Sequence, residues 1–371
     1  MEKREFGKTG LKTTLLGFGG YHLLEISSRE ADCLLNRYLD NGGNYIETAP
    51  LYGNGESEKK IGKAVSGRRD EFILATKTAA RDSQGCKEDL HDSLANLCTD
   101  YIDLLILHQV GTEPDDLDRI LAPGGALESF LKFKQEGKIG FIGISMHGQA
   151  DILIKALSSY PFDAVMAVMN YYDRFNFPEI EEDLIPLAVK NQTALILMKS
   201  LADGFLHGSK ELAFRYAASL PVSVIVTGMN TRDMLDYNLK LFSSIKPLTE
   251  KEKQDLYLNS IELGKYVCRQ CGKCLSCTQG IDIPEVFKYE GCYDRQMADG
   301  VVRDPAQYNM RERLRFWFGN QQLAIQKYQN LAVKADSCNE CGECLDKCPY
   351  QIDIIEKLKI ADYKLAGRKI F

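Results

Sequence analysis

Short apolar runs alternate with amphipathic helical stretches from Leu15 to about Lys246 of this 371-residue chain. Alternation of this kind is typical of βα units that build a parallel sheet. The sequence contains eight strand candidates, which begin at Leu15, Asn44, Phe72, Asp103, Gly140, Asp163, Ala194 and Val222. Eight strands with helices between them are the number that closes a (β/α)8 barrel, so the pattern predicts this α/β fold.

An open, doubly wound sheet would show the same alternation. Such a sheet usually carries a glycine-rich fingerprint after its first strand, and the GFGG segment at Gly17 does not have the required spacing. The barrel is therefore favoured. Before its first strand, the turn residues of the segment REFGKTGLKTTLLG, which begins at Arg4, predict a small hairpin that closes the bottom of the barrel.

The pattern changes near Leu248, where Thr249 is a plausible N-cap for the helical segment that follows it. We place the domain boundary there, so that residues 1–247 form the barrel. Residues 248–371 then form a linker helix and a second, smaller domain. This second region contains an internal repeat, because CTQGIDIPEVFK at Cys277 matches CPYQIDIIEKLK at Cys348.

Nine of the 12 cysteines lie between Cys268 and Cys348. In a chain without an apparent secretory leader, such a block favours metal ligation over disulfides. Its second half has the spacing of bacterial ferredoxins, with a proline after the fourth cysteine: Cys338, Cys341, Cys344 and Cys348. Its first half has one residue fewer between the last two cysteines: Cys268, Cys271, Cys274 and Cys277. The block predicts a mostly α, ferredoxin-like domain with two 4Fe-4S clusters.

The fourth cysteine of a two-cluster ferredoxin binds the other cluster. We therefore expect Cys348 to join the first cysteine group and Cys277 to join the second. Structural zinc is the alternative, although it usually takes two separated Cys-x-x-Cys pairs. Cys292 is interpreted as a bystander. The remaining three cysteines stand alone in helical patterns and are expected to be small core residues: Cys33, Cys86 and Cys98.

Three successive strand ends carry side chains suited to acid–base chemistry, in the segments NYIETAPLYG, ATK and LLILH. Together these segments resemble the aldo-keto reductase family over residues 4–245. The cysteine region resembles the branch of that family with a C-terminal 4Fe-4S domain. The resemblance implies an oxidoreductase that interconverts a carbonyl and an alcohol with a nicotinamide cofactor. It also implies a catalytic tetrad of Tyr52, Lys77, His108 and Glu47, with Glu47 where the family has aspartate.

The chemistry of these residues fits such a role. A phenol has an ordinary pKa near 10 and requires a nearby cation, here Lys77, to become a useful acid near neutrality. Glu47 would keep Lys77 charged and oriented. His108 would donate to, or bind, the substrate carbonyl oxygen.

The same resemblance implies a set of cofactor-binding residues. The nicotinamide would be held near Ser145 and Asn170, and the pyrophosphate near Ser200, Leu201 and Gly204. The adenosine phosphate would lie by the last strand and the following helix, at Gly228, Arg232 and Asn238. Gly228 and Met234 stand where the family has cations, which leaves Arg232 as the substitute. The choice between NAD and NADP stays open.

The 46 basic and 52 acidic residues are interspersed, with a net charge of −6, so no basic stripe predicts a nucleic-acid partner. No apolar run reaches the roughly 18 residues of a membrane helix, and we expect a cytoplasmic protein. The expected partners are a small carbonyl or alcohol substrate and, if the clusters carry electrons, an electron-transfer protein. Two rival functions remain: a flavin-linked or ferredoxin-linked enzyme without nicotinamide, and a non-catalytic cluster-bearing sensor.

Overall fold

The computed structural model describes residues 1–111, 115–147, 150–260, 262–296 and 321–366. The chain divides into two compact units. The first unit comprises three segments: Met1–Met169, Glu179–Ser200 and Glu211–Pro247. The second comprises Asn170–Pro178, Leu201–Lys210 and the C-terminal region from Leu248. Residues 297–320 and 367–371 of the predicted second domain lie outside the described residues.

A closed barrel of eight parallel strands forms the centre of the first unit. The described strands, numbered in chain order, are β1 (Lys3–Glu5), β2 (Lys12–Thr14), β3 (Leu16–Gly19), β4 (Tyr45–Glu47), β5 (Ile73–Thr78), β6 (Ile102–Leu107), β7 (Ile139–Ser145), β8 (Ala164–Val168), β9 (Ala194–Met198) and β10 (Val224–Gly228). From β3 onwards each strand pairs with the next, and β10 pairs with β3. The predicted (β/α)8 barrel is confirmed.

Helices connect the barrel strands and continue into the C-terminal region. The described α-helices are α1 (Ser28–Asp40), α2 (Glu56–Val65), α3 (Ser83–Asn96), α4 (Asp116–Leu121), α5 (Ala126–Gln135), α6 (Asp151–Ser159), α7 (Ile185–Lys190), α8 (Lys210–Ala218), α9 (Arg232–Phe242), α10 (Glu250–Asn259), α11 (Ile283–Gln296), α12 (Gln321–Gln329) and α13 (Ile354–Leu365). None of these described helices has the length and apolar character needed to cross a membrane.

The hairpin of β1 and β2 closes the N-terminal end of the barrel, as predicted. Thr13 Oγ1 donates to the carbonyl of Ser223, 2.9 Å away, just before β10. The Arg4 guanidinium donates to three carbonyls in the same connection, those of Ala218, Leu220 and Val222. The opposite end of the barrel, where the strands finish, is therefore the end available for a functional site.

The C-terminal region of the second unit begins with α10. Thr249 caps this helix, as the sequence predicts, and it also shares a capping box with Glu252. Further along, α11, α12 and α13 contribute to one apolar core, which includes Ile283, Val286, Phe287, Ala324, Tyr328, Ile354, Leu358, Ala361 and Leu365. Cysteines of both loops pack against this core.

The internal repeat has a backbone counterpart. Gln270 and Glu340 both adopt a positive φ, 52° and 58°, and the following Gly272 and Gly342 do the same, at 71° and 81°. Each loop then closes with a 3.0 Å hydrogen bond. Leu275 N donates to the Gly272 carbonyl in the first loop, and Leu345 N donates to the Gly342 carbonyl in the second. Because non-glycine residues rarely adopt this conformation, its recurrence at equivalent positions shows that both loops have the same shape.

Two loops that follow barrel strands, residues 170–178 and 201–210, belong to the second unit. The sequence boundary at residue 247 had assigned them to the barrel domain. Within the second unit, Ser209 Oγ donates to Glu262 at 2.6 Å, and the Arg174 guanidinium lies 4.7 Å from the centre of the Tyr257 ring. Such long-range contacts have no signature in the strand pattern.

The prediction for the isolated cysteines is right for Cys86, which is buried, and wrong for Cys33 and Cys98, which are exposed. Cys33 lies on the outward face of α1, between the buried residues Ala31 and Leu34. Cys98 lies beyond the end of α3, where the backbone has a positive φ of 52°. An apolar residue in a helical pattern does not by itself reveal which face it occupies.

Candidate functional site

The four predicted tetrad residues come from three neighbouring strands. Glu47 is the last residue of β4 and aligns with Ala75 of β5. Lys77 lies in β5, two residues later. The backbone N–H of His108, which directly follows β6, donates to the carbonyl of Thr78 at 2.8 Å. Tyr52 lies in the loop after β4. The parallel register therefore brings all four side chains to the C-terminal end of the barrel.

Lys77 is the centre of this group. Its Nζ donates to the Tyr52 hydroxyl at 3.0 Å and to the Thr48 carbonyl at 2.8 Å, and it contacts the Glu47 carboxylate directly. Tyr52 also lies 3.4 Å from the same carboxylate. No more than 7% of any of the four tetrad residues is exposed. A phenol, an ammonium and a carboxylate therefore form one buried, hydrogen-bonded cluster.

Burial shifts the acidities in this cluster. It raises the pKa of Tyr52 above its ordinary value and lowers the pKa of Lys77 well below its own. Burial therefore favours the neutral form of each group, whereas the direct contact of Lys77 with Glu47 favours the charged form of the lysine. The Tyr52 hydroxyl consequently keeps its proton at neutral pH.

His108 faces Tyr52 edge-on, with 6.3 Å between ring centres. Burial, together with Lys77 and Arg81, holds the pKa of His108 well below its usual range, so the ring is neutral near pH 7. Its Nδ1 is buried and has no hydrogen-bond partner among the described residues. An unsatisfied buried ring nitrogen next to a protonated phenol is suited to a polar ligand atom.

His147 is a site residue that the sequence reasoning missed. It is buried, lies two residues beyond Ser145, and packs edge-on against His108 at 6.1 Å. Its Nδ1 contacts the Gln109 side chain. Burial, Lys199 and His108 lower its pKa, so it too is neutral. The signal was available, since His147 follows the end of β7 as His108 follows the end of β6.

The predicted nicotinamide residues have different surroundings. Ser145, the last residue of β7, is buried and donates from Oγ to the Leu107 carbonyl at 3.0 Å. Asn170 uses its side chain locally, because Nδ2 donates to Asp173 at 2.7 Å and Oδ1 accepts from the backbone of Tyr172 and Asp173. Asn170 therefore orders the loop after β8.

The predicted pyrophosphate residues follow β9. Ser200 is buried and belongs to the first unit. Leu201 and Gly204 belong to the second unit, and Gly204 has a φ of 100°. A side chain at Gly204 would be strained in that conformation, which explains the glycine there.

At the end of β10, the structure explains why the predicted adenosine site lacks a lysine. A side chain at Gly228 would collide with the ring of His22. His22 Nδ1 lies 3.3 Å from the Glu25 carboxylate, which also accepts from Asn230 Nδ2 at 2.6 Å. A carboxylate therefore lies close to the position where the resemblance predicts a cation, and sequence reasoning did not identify it.

The following helix offers little positive charge. Arg232 is exposed, with 73% of its side chain accessible, and lies 3.6 Å from Asp236. Met234 is exposed and Asn238 is buried. Arg232, the proposed substitute for the missing cations, thus has the carboxylate of Asp236 one helical turn away.

The clustered cysteines line two cavities in the second unit, with about 330 and 380 Å³ of free space including their openings. The first cavity is lined by Cys268, Cys271, Cys274 and Cys348. The second is lined by Cys277, Cys338, Cys341 and Cys344, and Cys274 also reaches its wall. The last cysteine of each run therefore lines the cavity of the other run.

The acidities of the thiols follow the same grouping. Burial raises the pKa of Cys268 to about 11, and Cys271 and Cys348 add to this shift. The pKa of Cys344 is raised by burial, with further contributions from Cys338, Cys341 and Cys277. Among the described residues, no group of three or more His, Cys, Asp or Glu side chains is arranged to hold a single metal ion.

Comparisons with known proteins concern the barrel. The sequence model of the aldo/keto reductase family matches residues 15–256. An oxidoreductase of Bacillus subtilis strain 168, YqkF, is 27% identical over 275 residues, covering 71% of this chain and 82% of that protein. L-galactose dehydrogenase of Arabidopsis thaliana is 30% identical over 220 residues, covering 56% of this chain and 67% of that protein.

A solved aldo-keto reductase from Bacillus halodurans, in its holo form, superposes with a TM-score of 0.60 and 29% identity. The match covers 68% of this chain and 94% of that one. The family match ends at residue 256, before the first clustered cysteine at position 268. The family match therefore covers the barrel, and the cysteine-lined cavities are interpreted from their own residues.

Proposed function

We propose that this chain interconverts a carbonyl and an alcohol at Tyr52. The chain belongs to the aldo/keto reductase family and is an NAD(P)-dependent oxidoreductase of that type. The observation that carries the proposal is the buried contact of Lys77 Nζ with both the Tyr52 hydroxyl and the Glu47 carboxylate. The proposed substrate is a small carbonyl or alcohol compound. L-galactose dehydrogenase, a relative, is named for a sugar substrate, which supports this class.

Bound nicotinamide would supply or accept the hydride, and residues of the chain transfer the proton. In reduction, the Tyr52 hydroxyl donates its proton to the carbonyl oxygen while the carbonyl carbon becomes an alcohol carbon. Lys77 Nζ, 3.0 Å away, stabilises the phenolate that remains. Neutral His108 binds the same oxygen, and its unpartnered Nδ1 and burial fit a ligand in this space. Oxidation reverses these steps.

For the cofactor, we propose that NADPH is not strongly preferred over NADH. The resemblance places the phosphate of NADP by Gly228, where the structure has His22 and the Glu25 carboxylate. A carboxylate repels a phosphate, whereas it can accept a hydrogen bond from a ribose hydroxyl. Arg232 remains as the cation, but it is exposed and lies beside Asp236.

Titration of the anaerobic protein with each nucleotide is the experiment that tests this proposal. We expect the dissociation constants of NADH and NADPH to differ by less than about a hundredfold, or about 2.7 kcal/mol. Arg232→Ala should weaken NADPH more than NADH, and Lys240→Ala, later on the same helix, serves as the control. An NADPH preference above a hundredfold would show that another cation holds the phosphate. Binding of neither nucleotide would favour the flavin-linked or ferredoxin-linked alternative.

For the second unit, we propose two 4Fe-4S clusters with crossed ligation. Each cavity is lined by at least four thiols, which would supply the four ligands of a cluster. One cluster would use Cys268, Cys271, Cys274 and Cys348, and the other Cys338, Cys341, Cys344 and Cys277. When bound, clusters of this type exchange single electrons or act as structural elements. The cytoplasm, which keeps thiols reduced, is the proposed location.

Anaerobically purified protein is expected to contain about eight iron and eight sulfide per chain. Replacing Cys338, Cys341 and Cys344 by alanine should leave about four iron. In that background, Cys348→Ala should remove the remaining cluster, because Cys348 lines its cavity. The matched control, Cys277→Ala, should leave it intact.

Iron and sulfide analysis together with electron paramagnetic resonance would measure these outcomes. The opposite dependence, on Cys277 and not on Cys348, would show that each run binds its own cluster. Stoichiometric zinc in a colourless protein would replace the cluster proposal with the structural-zinc alternative.

A further inference from the structure

The two cysteine-lined cavities have the same loop shape but different charges. The cavity of Cys268 is lined by Arg269, Lys273 and Lys347. The cavity of Cys338 is lined by Glu343 and shares Lys347. In the repeat, Arg269 corresponds to Asn339 and Lys273 corresponds to Glu343, each 70 residues apart. Cations beside the first cavity are thus replaced by a neutral side chain and a carboxylate beside the second.

Arg269 is a buried cation. Only 7% of it is exposed. Its guanidinium donates to three backbone carbonyls, those of Gly264 at 2.7 Å, Tyr257 at 3.4 Å and Val267. The carbon centre of the guanidinium lies 4.7 Å from the centre of the Tyr350 ring. Among the described residues, no carboxylate lies within ion-pair distance of it. Burying a charge without a counter-ion is costly, so a buried arginine of this kind indicates an anion nearby.

We infer that Arg269 is the counter-ion of the cluster held by Cys268, Cys271, Cys274 and Cys348, and that this cluster has the higher reduction potential of the two. The inference rests on the proposed clusters. Four thiolates give a 4Fe-4S cluster a net negative charge, which grows by one when its core is reduced from 2+ to 1+. A nearby cation stabilises the reduced form, so this cluster accepts the first electron.

Burial acts in the opposite direction, because it lowers the reduction potential of the first cluster. Cys274 is buried, whereas Cys344 is half-buried, and a low dielectric disfavours additional negative charge. Arg269 shares this burial, so its positive charge is screened less than a surface charge would be. At the equivalent position, the first loop has Lys273 and the second has Glu343, a difference of two charge units that also favours reduction of the first cluster. Because Arg269 is buried beside the first cavity, we expect the charge difference to outweigh the difference in burial.

The test is a reductive titration of the full-length, iron-loaded protein with dithionite, which supplies one electron to each cluster and is oxidised to sulfite. Electron paramagnetic resonance follows the reduced clusters. We expect two separate one-electron steps. Lys273→Glu should lower the higher midpoint potential, and Glu343→Lys should raise the lower one. Both positions are exposed, so these exchanges leave the fold in place.

Lys273→Arg keeps the charge and is the matched control, with both midpoints unchanged. Arg269→Gln should lower the higher midpoint further, and iron content reports whether this variant still folds around its cluster. A protein that carries no iron would refute the proposed clusters themselves. Iron-loaded protein that shows one shared midpoint, or in which Lys273→Glu shifts the lower midpoint, would overturn the inference while leaving the clusters established.

Discussion

Tyr52→Phe is expected to lower kcat by about 10²–10⁴-fold, the usual contribution of a positioned acid. The substitution removes one hydroxyl from a ring that stays packed 5.0 Å from Tyr21 and 6.3 Å from His108. Lys77 keeps its contacts with Glu47 and the Thr48 carbonyl. The fold and nucleotide binding should therefore persist while proton transfer is lost. Steady-state kinetics and nucleotide titration measure the two effects separately.

Tyr45→Phe is the matched control. Tyr45 is a buried tyrosine of β4, and its hydroxyl has no hydrogen-bond partner among the described residues. Removing that hydroxyl should leave kcat unchanged. If Tyr52→Phe were as active as this control, Tyr52 would not be the acid, and the flavin-linked enzyme or the non-catalytic cluster-bearing sensor would become the better hypothesis.

The barrel could be predicted from sequence because its signal is local and repeated. An apolar run in the sequence predicts each of the eight strands, and the parallel register then brings the ends of β4, β5 and β6 together. The proximity of Glu47, Lys77 and His108 follows from that register. The closeness of these three predicted site residues is thus a consequence of strand order, which a sequence contains.

The acidity of Tyr52 could not be predicted in the same way. The sequence predicts that Lys77 acts on the phenol while Glu47 orients it, and Lys77 does contact Glu47, but the burial of the group raises the pKa of Tyr52. Burial depends on the packing of the whole barrel end, and no short segment contains that information. The missed carboxylate of Glu25 shares this property, since Glu25 and Asn230 are 205 residues apart yet form one hydrogen bond.

The cysteine spacing predicts a grouping of the thiols, but it contains no information about their electrostatic surroundings. Arg269 lies between Cys268 and Cys271, where a charged residue in a loop would ordinarily be expected to be solvated. Its burial follows from the carbonyls of Gly264 and Val267 and from the Tyr350 ring. Tyr350 is 81 residues away in the sequence, so the pattern around each run could not reveal this contact.

Lys77→Met is expected to remove nearly all activity and to lower the free energy of unfolding by about 3–5 kcal/mol, the usual cost of breaking a buried ion pair. The methionine fills a similar volume but leaves Glu47 as a buried carboxylate without its cation. The phenolate formed during reduction also loses the ammonium 3.0 Å away that stabilises it. Thermal or urea unfolding of the anaerobic protein, together with kcat, measures both losses.

The double variant Lys77→Met with Glu47→Gln separates the two roles of the lysine. Replacing the carboxylate by an amide removes the uncompensated charge, so most of the lost stability should return. Activity should not return, because no cation faces Tyr52 in either variant. Recovery of turnover along with stability would contradict the proposed mechanism, since it would mean that Lys77 only neutralises Glu47. Stability that stays low in the double variant would instead indicate that the packing of the lysine chain, and not its charge, supports the end of β5.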